Sequence, residues 1–281
     1  MNKLDLTIII PCASDTRIKY CIQGIYEACL DDIEILVSLN NASKEVKDVL
    51  KNFQNIKTCE IKEFNLSKAY NNGIKHASRN NILLMDSDCI FAPKTIDLLY
   101  EGLKYAELSK GLVIFQTNNL MSKIIRRVRE YTTTDFVSAY VPPLAFSKAV
   151  KNFIGGYYFN EKMPWSGDGE FDYRIRQAGL KIHYNPKAVI YHAPLSFFRD
   201  IKSGFRYGRG RRIGVDSNLL PKRNYLKITT HLERFTRTFE VFCKKGLLAA
   251  LYYFLVWRPV YRFGYIIQAI YNRCELYSKK L

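Results

Sequence analysis

The sequence predicts an α/β fold, with a mainly parallel sheet flanked by helices and a helical appendage at the C-terminal end. Three observations carry this. Short β-branched runs alternate with amphipathic segments over residues 6–103, the pattern of βαβ units with right-handed crossovers. Each run ends in a polar cluster, on the side of such a sheet where ligands bind. From Arg199 onward the chain turns basic and aromatic, with 18 Lys/Arg against 5 Asp/Glu.

Leu6–Ile10 is a β-branched strand closed by Pro11, and a helix runs from about Ile18 to Leu30. Ile33–Leu39 is a second strand, ended by Asn40-Asn41-Ala42-Ser43. Lys44–Phe53 has the spacing of a charged amphipathic helix, and Thr58–Phe64 is a short third strand. Ser67–Ala77 places its apolar and small residues on one helical face, and Ile82–Met85 is the next buried strand. Thr95–Leu103 has helical spacing again. Phe171, Ile175 and Ala178 fall at i, i+4 and i+7, so a helix starts near Asp168 and stops at Gly179. Lys181–Pro186 and Ala188–His192 read as two short strands separated by a proline turn.

A chain of 281 residues exceeds the usual single domain, which favours one large α/β domain with an appendage. Its net charge of +17 points to an anionic partner such as a phosphorylated substrate, acidic lipid or nucleic acid. Seven cysteines (Cys12, Cys21, Cys29, Cys59, Cys89, Cys243, Cys274) form no CxxC pair, which suits a reducing compartment and neither a disulfide framework nor a zinc site. The apolar run before Pro11 is too short for a signal peptide, so a cytoplasmic location is expected. Neither GxGxxG nor GxxxxGK[ST] occurs, which leaves a Rossmann dinucleotide site and a P-loop without support.

Asp86-Ser87-Asp88 follows the apolar run Ile82–Met85 directly. Carboxylates at the end of a buried strand cost desolvation energy unless a cation meets them, and a hard divalent cation shared with substrate phosphates is an economical one. The other reading is a turn that caps the following helix. Asp168-Gly169-Glu170-Phe171-Asp172 behind Trp165 carries the same ambiguity: an N-cap with acids near the positive helix end, or a site of proton transfer. A helix N-terminus would lower the pKa of a base there, and desolvation would raise it. Phe205–Gly214 interleaves four arginines with three glycines, which suits close approach to oxyanions. A solvated basic loop and a single-strand nucleic-acid binder are the alternatives.

The ordered strings TIIIPC (7–12), IEILVSLNNAS (33–43) and NLSKAYNNGIKHASRNNILLMDSD (65–88) resemble the nucleotide-sugar-binding half of family 2 glycosyltransferases, which adopt the GT-A fold. The resemblance covers roughly residues 5–195. It implies a nucleotide-diphosphate sugar donor, with a uridine diphosphate sugar foremost, and Mn2+ or Mg2+ as cofactor. It makes Asp88 a metal ligand with His192, and Asp86 a ribose or nucleobase contact. Pro11, Asn40, Ser67, Asn71, Ser87 and Trp165 become further nucleotide-sugar contacts. Asn40 stands where the family usually has an acidic residue, and Tyr70 where an arginine often precedes the matched Asn71. Asp168 falls at the family's acceptor-activating acid, with Gly167 in place of the usual Glu before it, and Glu170 is the second candidate for that base. Arg209 and Arg211 would border the diphosphate.

Domain limits follow: 1–198 catalytic (nucleotide-sugar half about 1–115, acceptor half about 116–198), 199–225 a basic Arg/Gly loop over the active site, and 226–281 an amphipathic helical tail. The tail's apolar run Gly246–Trp257 holds 12 residues, short of the roughly 20 that span a bilayer. Arg258-Pro259 then interrupts it. Leu-rich faces among Arg, Lys, Tyr and Trp suit helices lying on an anionic inner-membrane surface. Packing on the catalytic domain, or on a second copy in a homo-oligomer, would also cover them. The expected reaction is inverting, metal-dependent sugar transfer to a glycan or lipid-linked acceptor in surface polysaccharide synthesis, with no nucleic-acid partner. A catalytically inactive polyanion- or membrane-binding protein and a nucleotidyltransferase are the alternatives.

Overall fold

The computed structural model describes residues 3–28, 32–222 and 228–278. The expectations at Cys29, Leu30 and Leu226 lie outside the described residues. The chain divides into two compact units, Met1–Ile114 with Val137–Ala193, and Phe115–Phe136 with Pro194–Leu281. The expected limit at 198 therefore lies close to an observed one. Residues 115–136, however, belong with the C-terminal helices and not with the acceptor half.

The first unit is built on β1 (Lys3–Cys12), α1 (Ile18–Ala28), β2 (Asp32–Asn40), α2 (Lys44–Leu50), β3 (Ile56–Ile61), α3 (Leu66–His76), β4 (Asn81–Leu84), β5 (Cys89–Phe91), α4 (Thr95–Gly102) and β6 (Leu108–Phe115). The chain then passes through α5 (Leu120–Arg129) of the second unit and returns as β7 (Leu144–Ser147), α6 (Gly167–Gln177) and β8 (Ile182–His192). Asn65 caps α3 by accepting from the Lys68 amide at 3.1 Å.

The sheet order is β3-β2-β1-β4-β7-β6-β8-β5. β3, β2, β1 and β4 pair in parallel, with Ile8 opposite both Ile35 and Leu83. The expected parallel sheet is confined to these strands, because β7 runs antiparallel to β4 and β6, and β5 antiparallel to β8. The two short strands expected over 181–192 are one strand, β8. Pro186 is tolerated because it lies between the Lys181 end, whose carbonyl accepts from the Leu108 amide, and Ile190–His192, which pairs with β5. Phe146, Phe159 and Phe171 are fully buried and join β7 to α6, with Phe159 and Phe171 stacked at 5.0 Å.

The second unit is helical: α5, a π turn at Glu130–Thr134, α7 (Phe197–Asp216), α8 (Ile228–Lys245), α9 (Leu247–Tyr252), a π turn at Tyr253–Trp257 and α10 (Arg258–Ser278). At its centre the Arg129 guanidinium meets Asp200 at 2.5 Å, and the Tyr252 hydroxyl donates to the same carboxylate at 2.7 Å. The basic loop expected over 199–225 is corrected here, since its Arg/Gly run lies within α7. Gly208 of this run serves packing between helices. A Cβ at Gly208 would stand 1.8 Å from the Tyr261 carbonyl of α10, and one at Gly264 would stand 2.1 Å from that of Phe205. Pro259 does not end the apolar segment either, because it follows the π turn Tyr253–Trp257 directly and the chain stays helical from Leu247 into α10.

Gly208→Ala tests this seam. Alanine gains about 1 kcal/mol of helix propensity, while displacing a packed backbone costs about 1–3 kcal/mol. A lower thermal midpoint is expected; a raised one would show that the helices do not approach this closely.

Candidate active site

The antiparallel register of β5 on β8 sets Cys89 opposite His192, and the Ala193 amide donates to the Asp88 carbonyl at 3.1 Å. This pairing brings together side chains more than a hundred positions apart in the chain. The His192 Nε2 lies 3.6 Å from the Asp88 carboxylate. Its Nδ1 lies 2.7 Å from the Ala193 carbonyl, which can only accept. Nδ1 therefore carries a proton, and in the neutral ring Nε2 presents a lone pair that can bind a cation. Two electron-rich atoms facing each other favour a cation, and one carboxylate with one imidazole fits a divalent ion. Ligand atoms of Asp88, Cys89 and His192 all lie within 4.8 Å of one another. Burial and the charges of Asp88 and Asp86 push the Cys89 thiol up, so it stays protonated. The Arg17 guanidinium lies 3.3 Å from the same Asp88 oxygen and is held by Asp15.

Asp86 is half-buried and accepts from the Tyr70 hydroxyl at 3.2 Å. Desolvation, and next the neighbouring Asp88 charge, push its carboxyl up, and Asp168 adds to the effect. Asp86 thus stands near both other acids. Asp168, also half-buried, occupies the first turn of α6 and accepts from the Gly169 amide at 2.9 Å and from the Val141 amide. The macrodipole was expected to lower this carboxyl. Desolvation outweighs its amide donors and the nearby Lys110, and the net displacement is upward.

The other residues singled out by sequence divide into two groups. Ser87 is half-buried and hydrogen-bonds with the Cys12 thiol, Pro11 is buried at the end of β1, and Trp165 is half-buried just before α6. Asn40, Ser67 and Asn71, expected to contact the nucleotide sugar, have protein partners in this structure. Asn40 Oδ1 accepts from the Asn65 amide at 2.8 Å, and the Ser67 hydroxyl donates to the Met163 carbonyl at 2.6 Å. Asn71 donates to the Phe159 carbonyl at 2.8 Å and accepts from its amide at 3.1 Å. They brace α3 and the end of β2 against the loop before α6.

Glu170 is corrected as a candidate base. It is fully buried and accepts from the Tyr157 hydroxyl at 2.9 Å and from Arg174 at 2.6 and 2.9 Å, which makes it a packing ion pair. Arg209 and Arg211 lie on α7 of the second unit, where Arg209 donates to Gln268 at 2.7 Å and Arg211 to the Pro221 carbonyl at 2.8 Å. Sequence reading gave Tyr70 no role beyond its departure from the family and missed Lys110 entirely. A lone lysine inside the apolar run Leu108–Phe115 was the available signal.

Calorimetric titration with Mn2+ tests the Asp88–His192 pair. Asp88→Ala is expected to weaken binding at least about tenfold. Arg17→Ala removes a partly exposed competing cation worth about 1 kcal/mol or less, so affinity should rise by no more than roughly fivefold. Unchanged affinity in Asp88→Ala would place the ion elsewhere.

The family model described as glycosyl transferase family 2 matches residues 7–149, from β1 past the Asp86–Asp88 turn. No curated protein matches the chain. Among solved structures, the mannosyltransferase PcManGT from Pyrobaculum calidifontis, in complex with GDP-Man and Mn2+, is similar in fold with a TM-score of 0.58. The match has 15% identity and covers 96% of this chain and 85% of that one. The curled eight-stranded sheet with its flanking helices is accordingly a GT-A fold. With the family model covering half of its length, the chain belongs to glycosyl transferase family 2 and is a glycosyltransferase.

Proposed function

We propose that this glycosyltransferase is metal-dependent and inverting, and that it moves a sugar from a nucleotide diphosphate to a glycan or lipid-linked acceptor in surface polysaccharide synthesis. The observation that supports the reading is the Asp88–His192 pair, whose ligand atoms lie with that of Cys89 within 4.8 Å of one another, while the charge of Asp168 acts on Asp86 two positions before Asp88. Asp88 and His192 would hold Mn2+ or Mg2+, and a divalent ion bound there supplies Lewis-acid charge for a departing diphosphate. PcManGT, solved with GDP-Man and Mn2+, supports a nucleotide sugar and a divalent ion as ligands. A uridine diphosphate sugar is the donor expected from the resemblance, and competition between UDP and GDP decides it.

In this reading Asp168 takes the acceptor hydroxyl proton as the acceptor oxygen attacks the anomeric carbon. A single displacement needs one base and no protein nucleophile, and it inverts the centre. The amides of Gly169 and Val141 fix the carboxylate, and its upward displacement brings it nearer the range useful for proton abstraction. The base works only when ionised. Turnover should therefore fall with decreasing pH through a midpoint above the ordinary aspartate value of 3.8. Asp168→Asn should lose about 10²–10⁴-fold in turnover while still binding UDP or GDP with Mn2+. Retained turnover would remove the base assignment, and polyanion binding indifferent to both Asp88 and Asp168 would favour the inactive-binder reading.

We also propose that the C-terminal helices rest on anionic lipid at the inner face of the cell membrane. Phe235, Phe239 and Phe242 project from one face of α8, and Leu247, Leu251 and Leu255 run along one side from α9 into the following π turn; all six are exposed. The 13-charge basic surplus from Arg199 onward complements anionic headgroups. No helix among the described residues is long and apolar enough to cross a membrane. Co-sedimentation with vesicles containing anionic phospholipid should exceed that with neutral vesicles and drop in Leu251→Glu/Leu255→Glu. Equal binding to both lipids, or none, would contradict this; a concentration-dependent dimer would assign the face to a second copy.

A further inference from the structure

We infer that Lys110 is a positioning residue for the base, acting through the backbone of residues 139–142. The inference rests on the reading of Asp168 as that base. Lys110 lies in β6 and is 5% exposed. Its ammonium donates to the Tyr140 carbonyl and, at 2.8 Å, to the Pro142 carbonyl. On the other side of the same segment, the Ala139 amide donates to Asp172 at 2.8 Å and the Val141 amide donates to Asp168.

The peptide group between Tyr140 and Val141 therefore stands between a cation and a carboxylate. A trans peptide points its C=O and N–H in opposite directions, so one plane can offer its oxygen to Lys110 and its N–H to Asp168. Each contact polarises the group in the sense that strengthens the other. The adjacent bonds at Pro142 and Ala139 tie down the ends of the segment. Fixing this strap fixes where the Asp168 carboxylate points.

Folding alone gives little reason for a lysine here. A buried ammonium costs several kcal/mol of desolvation, and an apolar side chain of similar length is often as stable or more so. The two carbonyls accept from the ammonium, and the charged or titratable groups whose charge acts on it are Asp168 and Asp172 of α6 and Asp86 and Cys89 around the β4–β5 turn. Burial pulls the amine down to about 7, and the charges of Asp168, Asp86 and Asp172, in that order, hold it up.

The test compares wild type, Lys110→Met, Lys110→Gln, Asp168→Asn and the Lys110→Met/Asp168→Asn pair. Melting temperature, calorimetric binding of UDP or GDP with Mn2+, and the pH profile of kcat are measured for each. Lys110→Met is expected to keep nucleotide affinity within about twofold, to lose about tenfold or more in kcat, and to move the acid limb of kcat to higher pH, because Asp168 loses a stabilising cation. Lys110→Gln keeps a donor for the carbonyls without the charge, so it should recover part of the kcat while the limb stays displaced. In the Asp168→Asn background, Lys110→Met should cost nothing further. Wild-type kcat and limb in Lys110→Met, with Asp168→Asn inactive, would overturn this inference alone. Parallel losses of melting temperature, nucleotide binding and kcat in both Lys110 variants would reduce Lys110 to a structural role and overturn it too. Turnover surviving Asp168→Asn would overturn the base assignment together with the inference.

Discussion

Like charge gathered at one end of a sheet is the constraint on which the first unit depends. Asp86, Asp88 and Asp168 come from two distant stretches of the chain, and Asp86 is displaced by the charge of both others. Such a group is tolerated only where each carboxylate meets its own donor. Asp88 has Arg17, Asp86 has the Tyr70 hydroxyl, and Asp168 has two backbone amides. The β5–β8 register supplies His192, the start of α6 supplies Asp168, and the stacked phenylalanines behind α6 hold that helix in place. Fold and chemistry are thus joined at a small number of backbone positions.

The second unit answers a different demand, that of packing helices rich in arginine. The Arg129–Asp200–Tyr252 group is buried and fully engaged, so the charge inside the bundle is neutralised locally. Gly208 and Gly264 allow α7 and α10 to touch backbone to backbone. The remaining basic charge and the exposed Phe and Leu faces are left for the surface.

Much of this was legible in the residues. β1, β2 and β4 announce themselves as β-branched or apolar runs cut by Pro11, Asn40 and Asp86, and their order is the family's. The Asp86–Asp88 turn, Asp168 and His192 were found by position within that order, and the structure shows what holds each one. Four things stayed hidden, each because tertiary contacts overrode a local signal. The glycines of α7 read as loop because glycine disfavours a helix by about 1 kcal/mol, and the close approach of α10 at Gly208 is seen only in the fold. Pro186 read as a break between strands because its position between two different pairings cannot be seen locally. Glu170 and Asp168 looked alike as first-turn acids, yet Arg174 at i+4 engages Glu170 and leaves Asp168 to the amides. Lys110 was passed over for a similar reason: a polar residue in a strand reads as solvent-facing until the carbonyls of another segment are seen to converge on it.

Crystals grown with Mn2+ and a nucleoside diphosphate, with anomalous data collected at the manganese edge, examine the arrangement of the acids most directly. One peak is expected at about 2.0–2.2 Å from an Asp88 oxygen, near the distances that hard divalent ions keep to oxygen, with His192 Nε2 as a second ligand and Asp168 outside the coordination shell facing the sugar side. A peak elsewhere, or one coordinated by Asp168, would contradict the division of labour between the two acids.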